Sequence, residues 1–296
     1  MATQVQTSTT GNLQNMSRIM LASARYTEEH NAPMAGLIEK FNLGKGEYQL
    51  TIPKVGQMSA EDLVEGRDMV DSEDINVSTV TATTAEVGLK VIITDTLLQQ
   101  NNEDVYKIIG RQMGEAMARK KDTDIIALFP SLNAGTAIGG DNALFNLANV
   151  SGVIANAKAD KFGNDLYIVH HPNAVWKLAT DIGNTLSTYP IPDAFNNPAV
   201  KDYWTGIKLS GVPIFEDGNI ENTGTSGHVS GYGVVADKTA MGHLAARARR
   251  EERERDISLR AFEIVVTEDY AVFEVDDSRG AALLYDKPTP SAAATS

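Results

Sequence analysis

The amino-acid sequence predicts an α+β protein organised around one long β-hairpin and one long helix. Three observations carry this. Residues 77–94 are a β-prone run about three times the usual strand length of about 5–6 residues. Residues 102–128 keep a helical apolar period, with Val105, Ile108, Ile109, Met113, Ala116 and Met117 on one face. Short strand and helix patterns then alternate up to residue 215, and the last part of the chain is rich in strands.

Composition bounds what such a chain can do. Its 296 residues can bury a sizeable core, and 42% hydrophobic with 22% charged residues is a globular balance. The apolar runs, such as Val91-Ile92-Ile93 and Ile264-Val265-Val266, fall far short of the roughly 20 residues of a membrane span, so no membrane partner is expected. The opening Met1-Ala2-Thr3-Gln4-Val5-Gln6 carries neither a basic nor an apolar stretch, so no secretion signal is expected. With no cysteine, disulfides, thiolate nucleophiles and Cys-ligated metals are excluded. The net charge of −13 repels bare nucleic acid in bulk.

Along the chain, residues 2–12 read as a polar arm. Met16, Ile19 and Met20, and after Pro33 Leu37, Ile38 and Phe41, have the spacing of two short helices, ended by Gly44 and Gly46. Residues 47–53 alternate as a strand with Tyr48, Leu50 and Ile52 on one face. In 77–94, Ala85, Val87, Leu89, Val91 and Ile93 alternate cleanly, whereas Ser78, Thr79, Thr81, Thr83 and Thr84 place hydroxyls on both faces. A single strand of that length would reach roughly 60 Å. A hairpin polar on both sides belongs in no core and is not stable alone in water, so the expectation is an arm that projects and lies on another surface. Between its strands, Glu61, Asp62, Glu65, Asp68, Asp71, Glu73 and Asp74 face a single Arg67. This segment reads as a solvated loop or as an electrostatic latch onto a basic neighbour. A calcium loop fits poorly, because the required Gly is absent.

Asn101 and Asn102 with Glu103 and Asp104 give the long helix a capped, acidic start. Arg119, Lys120 and Lys121 read as a solvated face, with weak phosphate contact as the alternative. The Gly-rich stretch 133–141 reads as a linker. Leu147, Val150, Val153, Ile154 and Ala157 mark a helix, Leu166 to Val169 a buried strand, and Pro172-Asn173 a helix start before a polar loop over 184–197. Residues 208–215 read as a strand at an edge or bulge because of Pro213. Residues 232–236, 261–266 and 271–275 read as strands, the last two joined by Thr267-Glu268-Asp269. Residues 247–256 are a charge cluster: Arg247, Arg249, Arg250, Arg253 and Arg255 among Glu251, Glu252, Glu254 and Asp256.

Enzyme signatures are missing. The five histidines include no HExxH pattern, and His170 and His171 point to opposite sides of a strand, as a polar strand end. Gly224-Thr225-Ser226-Gly227 is not a nucleophile elbow. No catalytic residue, cofactor or metal ligand is assigned.

The order of parts resembles the Hong Kong 97-type capsid fold of tailed-phage major capsid proteins. Tyr48-Gln49-Leu50-Thr51-Ile52-Pro53 and residues 87–98 resemble the two sides of that family's extended loop. Residues 104–129, with Gly114-Glu115-Ala116-Met117-Ala118, resemble its spine helix. Tyr167-Ile168-Val169-His170-His171-Pro172-Asn173-Ala174 and Leu209-Ser210-Gly211-Val212-Pro213-Ile214-Phe215 are similar to strands of its axial domain. The resemblance implies an N-terminal arm (1–44), an extended loop (45–100), a peripheral domain with the spine helix (101–135) and terminal strands (235–296), and an axial domain (136–234). It implies a non-enzymatic shell subunit of the virion that forms hexamers and pentamers around double-stranded DNA, with a portal protein at one vertex. No long helical segment precedes the arm, so a separate scaffolding protein is expected. Lys54 is the nearest hairpin lysine and the acidic tip has none, so lysine–asparagine crosslinking is not expected. The proposed intersubunit contacts are Glu61, Asp62, Glu65, Arg67, Asp68 and Asp71 on the loop against Arg247, Arg249 and Arg250. An encapsulin-like compartment, an α/β enzyme over residues 143–215 and a tail or adhesion protein remain alternatives.

Overall fold

The computed structural model describes residues 34–44, 46–55, 62, 77–96, 104–188, 208–223 and 229–290, with the side chains of 104–108 and 182–188 outside the description. Helix α1 (Met34–Leu37) is a single turn that runs into strand β1 (Glu39–Asn42). The helix expected through Leu37, Ile38 and Phe41 is therefore corrected: Phe41 lies in a strand parallel to a distant segment at Leu244, a pairing that local periodicity cannot reveal. The expected helix at Met16, Ile19 and Met20, and the arm before it, lie outside the described residues.

Strands β2 (Gln49–Val55) and β3 (Val77–Thr83) pair antiparallel, from Gln49 opposite Thr83 to Val55 opposite Val77. The expected single strand over 77–94 breaks at Thr84, and β4 (Ala85–Thr94) takes a different partner. The break follows from a change of neighbour: β3 answers to β2, whereas Ala85 opposite Tyr270 starts a second ladder. Helix α2 (Asp104–Ile126) has 23 residues, about 34 Å at 1.5 Å per residue. It ends one turn before Pro130, in a short 3-10 turn at Phe129–Ser131.

The Gly-rich stretch is not a linker: β5 (Ile138–Leu144) is a strand. Gly139 sits at φ +98, and a Cβ there would lie 2.5 Å from the Leu284 carbonyl oxygen, so the glycine serves close backbone approach. Helix α3 (Leu147–Ala159) starts where the Asn146 side chain accepts the Asn149 N–H at 2.8 Å. Then come β6 (Leu166–His170) and α4 (Pro172–Thr188), the latter running into the segment expected as loop. Residues 208–215 form a hairpin of β7 (Lys208–Leu209) and β8 (Val212–Glu216), with Ser210 and Gly211 at positive φ in the turn. Strand β9 (Ser230–Asp237) precedes β10 (Met241–Asp256), β11 (Ala261–Glu274) and β12 (Gly280–Asp286). The charge cluster is thus part of a 16-residue strand, and the two short strands expected over 261–275 are one strand of 14 residues.

Two main sheets result. One has the order β1-β10-β11-β4 and the other β5-β12-β9-β6-β8-β7. The four-stranded sheet is covered on both faces. On β4 and β11, Val87, Leu89, Val91, Ile93, Ile264 and Val266 pack against Ile109, Met113 and Met117 of α2. On the opposite face, Leu244, Ala271 and Phe273 pack against Leu50, Ile52, Val80 and Ala82 of the β2–β3 hairpin. The described part of the hairpin therefore packs on the chain's own sheet, where an arm that projects from the body and lies on another surface was expected. Its threonines line the exposed side, and every second residue is apolar enough to join this core. In the six-stranded sheet, one face packs on α3 and α4 through Ile168, Val235 and Leu283. The other meets Met34, Ile125, Phe129 and Leu132, so the end of α2 wedges between the two sheets. No described helix is long and apolar enough to cross a membrane.

Candidate intersubunit surface

Strand β1 accompanies β10 only from Gly242 to Ala245. Past that point β10 keeps β11 on one side, and its other edge is unpaired among the described residues. Residues 247–255 are exposed throughout. The register against β11 shifts between Ala245 and Arg247 and again between Arg247 and Arg250, and such bulges increase twist and bend an edge. A free edge of this length is a template for another chain, and its alternating charges restrict which chain can approach.

The arginines differ in their partners. Arg247 Nε lies 3.4 Å from Asp269 Oδ2, and Arg250 pairs with Glu252 at 2.5 Å. Arg253 pairs with Glu251 at 2.6 Å, and Arg255 reaches Asp95 at 3.2 Å while lying over the Phe262 ring. In each pair the arginine is more than half exposed, so each contributes at most about 1 kcal/mol. Arg249 has no carboxylate partner among the described residues. Its guanidinium lies against α2 at Gly114, where an added Cβ would come within 2.9 Å of Nη1. Of the expected acidic counterparts, Asp62 is described and exposed. Glu61, Glu65, Arg67, Asp68 and Asp71 lie outside the described residues. Beyond β10, the turn to β11 presents Ile257, 83% exposed, and Leu259.

Of the basic triplet on α2, Arg119 and Lys120 are exposed, as the reading of a solvated face has it, whereas Lys121 is engaged inside the subunit. Lys120 pairs with Asp124 one turn on, and Lys121 pairs with the buried Glu268 of β11 and lies 5.5 Å from the Tyr270 ring centre. Tyr270 in turn donates its hydroxyl to Asp124 at 2.7 Å. Arg18, the other candidate phosphate contact, is outside the described residues. His170 is also corrected: it is wholly buried beside Phe145, and its Nδ1 accepts the His171 N–H at 2.9 Å. Burial, reinforced by His171 and Lys287, pulls its pKa down to about 3. Sequence reasoning missed two further buried groups, Asp122 and Asp217, because each sits in a string that reads as exposed: Lys120-Lys121-Asp122-Thr123-Asp124 and Glu216-Asp217-Gly218-Asn219.

The profile of the family described as phage capsid protein matches residues 77–284, from β3 through β12. The chain belongs to the phage capsid protein family. Solved structures agree in fold. The capsid asymmetric unit of cyanophage Pam1 superposes with a TM-score of 0.68 at 12% identity, covering 98% of this chain and 97% of that one. The head of Helicobacter pylori bacteriophage KHP40 gives 0.67 at 11% identity, covering 85% and 89%. The mature capsid of bacteriophage PhiM1 gives 0.65 at 15% identity, covering 98% and 93%. No curated protein sequence matches. This phage capsid protein thus has the expected α+β fold of the Hong Kong 97 type, and it is a structural protein of the virion.

Proposed function

We propose that the chain is the repeating subunit of an icosahedral phage head, closing as hexamers and pentamers around double-stranded DNA. In this reading residues 1–44 are the arm, 45–100 the extended loop, 101–135 and 235–296 the peripheral domain, and 136–234 the axial domain. Strand β12 (Gly280–Asp286) adds a C-terminal strand to the sheet of the axial segment. The observation that carries assembly is the exposed edge of β10, whose charged residues 247–255 serve no core of their own. The acidic loop around Glu61, Asp62, Glu65, Arg67, Asp68 and Asp71 meets Arg247, Arg249 and Arg250 of a neighbouring copy. Arg249 is the anchor, since it lacks a carboxylate of its own among the described residues. Unlike charges of this kind set register and encounter rate more than affinity. A separate scaffolding protein guides closure and a portal protein occupies one vertex. DNA is held weakly and without base readout, and the −13 charge supports the weak holding. Membership of the phage capsid family favours this reading over an encapsulin-like compartment or an enzyme.

Deletion tests it. Val55 pairs with Val77, so a short turn can replace residues 58–76 without disturbing the β2–β3 ladder. The deleted chain is expected to stay folded and soluble and to form no shells in negative-stain micrographs. Normal shells would refute the assignment. The double variant Arg249→Glu, Arg250→Glu is expected to slow assembly. The wild-type assembly rate, followed by light scattering, should fall as salt shortens the Debye length from about 10 to 3 Å.

A further inference from the structure

Asp122 and Asp217 are both wholly buried, far apart in sequence and on different elements. Asp122 lies in the last turns of α2, and Asp217 directly follows β8. Asn219 bridges them: its backbone N–H donates to Asp217 Oδ1 at 2.9 Å, and its side-chain amide donates to Asp122 Oδ2 at 3.0 Å. The other oxygen of Asp122 accepts the Met34 N–H of α1 at 3.2 Å. Asp217 donates its own backbone N–H to the His170 carbonyl of β6 at 3.0 Å. Asp217 Oδ2 is buried with no hydrogen-bond partner among the described residues, and burial, followed by the Asp122 carboxyl on the other side of the Asn219 bridge, pushes the Asp217 pKa up to about 8.

No cation balances the pair among the described residues. Lys287, after β12, gives its Nζ to the Ile220 carbonyl at 2.7 Å, and Glu221 lies beyond it. His170 on β6 is held neutral. The N–H groups of Met34 and Asn219 occupy Asp122, a donor set unsuited to a metal ion, and the described residues contain no cluster of three metal-ligating side chains. Two buried carboxylates bridged in this way repel strongly, and one proton between them turns repulsion into a hydrogen bond.

We propose that Asp122 and Asp217 share a single proton, and that this proton latches the end of α2 and the α1 turn onto the six-stranded sheet. The proton resides on Asp217 Oδ2 and is donated to Asp122. Three parts of the molecule meet there: the residues leading in from the N-terminal segment, the long helix and the larger sheet. Losing the proton places two negative charges at the wedge between the sheets and opens that junction, leaving the apolar cores on either side intact. In a shell, a junction of this kind lets one chain adopt different angles between its two sheets. That consequence rests on the shell reading; the proton does not, and it is measured on unassembled subunits.

The test is a carboxyl titration of the wild-type subunit by infrared difference spectroscopy with ¹³C-labelled aspartate, against Asp217→Asn and Asp122→Asn. One buried acid is expected to remain protonated at neutral pH and to titrate with a midpoint near 8, because burial and the Asp122 carboxyl push Asp217 up that far. Asp217→Asn supplies an amide that donates to Asp122 as the acid does, so this band disappears while the fold remains. Corrected amide-exchange protection at Met34 and Asn219 should fall in wild type as the band titrates, and stay constant in Asp217→Asn. Titration of every aspartate below about pH 5 would overturn the proposal, as would loss of the acid band on adding calcium or magnesium at constant pH. Protection that tracks pH equally in wild type and Asp217→Asn would overturn the latch. Should Asp217→Asn fail to fold, the wild-type titration and protection decide.

Discussion

His170 and Asp217 are each buried in the state that carries no charge, and their effects on stability run in opposite directions. The histidine's folded pKa, near 3, lies below its unfolded value of about 6.5, so its stabilisation is present above 6.5 and is lost as pH falls towards 3. The aspartic acid's folded pKa, near 8, lies above its unfolded value of about 3.8, so its stabilisation is complete below 3.8 and is lost as pH rises through 8. Between about pH 4 and 6.5 the two slopes oppose, each at most about 1.4 kcal/mol per pH unit. His170→Asn should therefore make stability fall with pH across that window, and Asp217→Asn should make it rise, relative to wild type. Urea midpoints at half-unit pH steps measure both. Close to His170, Gly233 of β9 has no room for a side chain: a Cβ would lie 2.4 Å from the imidazole and 2.5 Å from the Val169 carbonyl. Gly233→Ala is expected to cost about 1–3 kcal/mol by overpacking, read as a lowered urea midpoint.

Strand β11 shows how an element hides from local reading. Thr267-Glu268-Asp269 looks like a turn because three polar residues interrupt two apolar runs. In the folded chain Glu268 faces α2 and pairs with Lys121, whereas Asp269 meets Arg247 across the ladder. Each polar side chain has found a partner on a different neighbour, so the strand continues through them. Lys121 and Lys120 differ accordingly. Lys121→Met leaves Glu268, 7% exposed, without its cation and should cost about 2–3 kcal/mol, below the value of a sealed pair because Lys121 keeps 22% exposure. Lys120→Met removes an exposed helix pair and should cost under about 1 kcal/mol. Thermal melts of the two variants, compared side by side, would contradict the placement of Lys121 if the losses were equal.

At the scale of the molecule, the four-stranded sheet lies between a helix on one face and a hairpin on the other, and among the described residues the hairpin side has fewer buried side chains, three against five. Ala82, Leu244 and Phe273 are its buried centre. Phe273→Ala should therefore release the hairpin before anything else. Amide exchange at residues 77–83 is expected to quicken markedly, with β6 and β9 of the six-stranded sheet unchanged. Equal loss of protection in both sheets would mean that the hairpin and the larger core open as one unit.

Composition and periodicity alone determined the α+β class, the long helix up to its end near Pro130, the strand–helix order from Leu147 to Ala174, and the absence of cysteine chemistry. These depend on residues within a few positions of one another, where spacing carries the information. The charged run over 247–256 was legible as a cluster and as a candidate contact, but its conformation was not, because a strand of polar residues is stabilised by the ladder to β11 and has no period of its own. Only the tertiary structure decided that residues 77–94 divide between two sheets, that the hairpin's apolar side returns to Leu244 and Phe273, and that Asp122 and Asp217 are buried together. Each of these is a choice of partner separated by scores of residues, and the free energy of a buried or paired side chain is set by that partner rather than by its sequence neighbours.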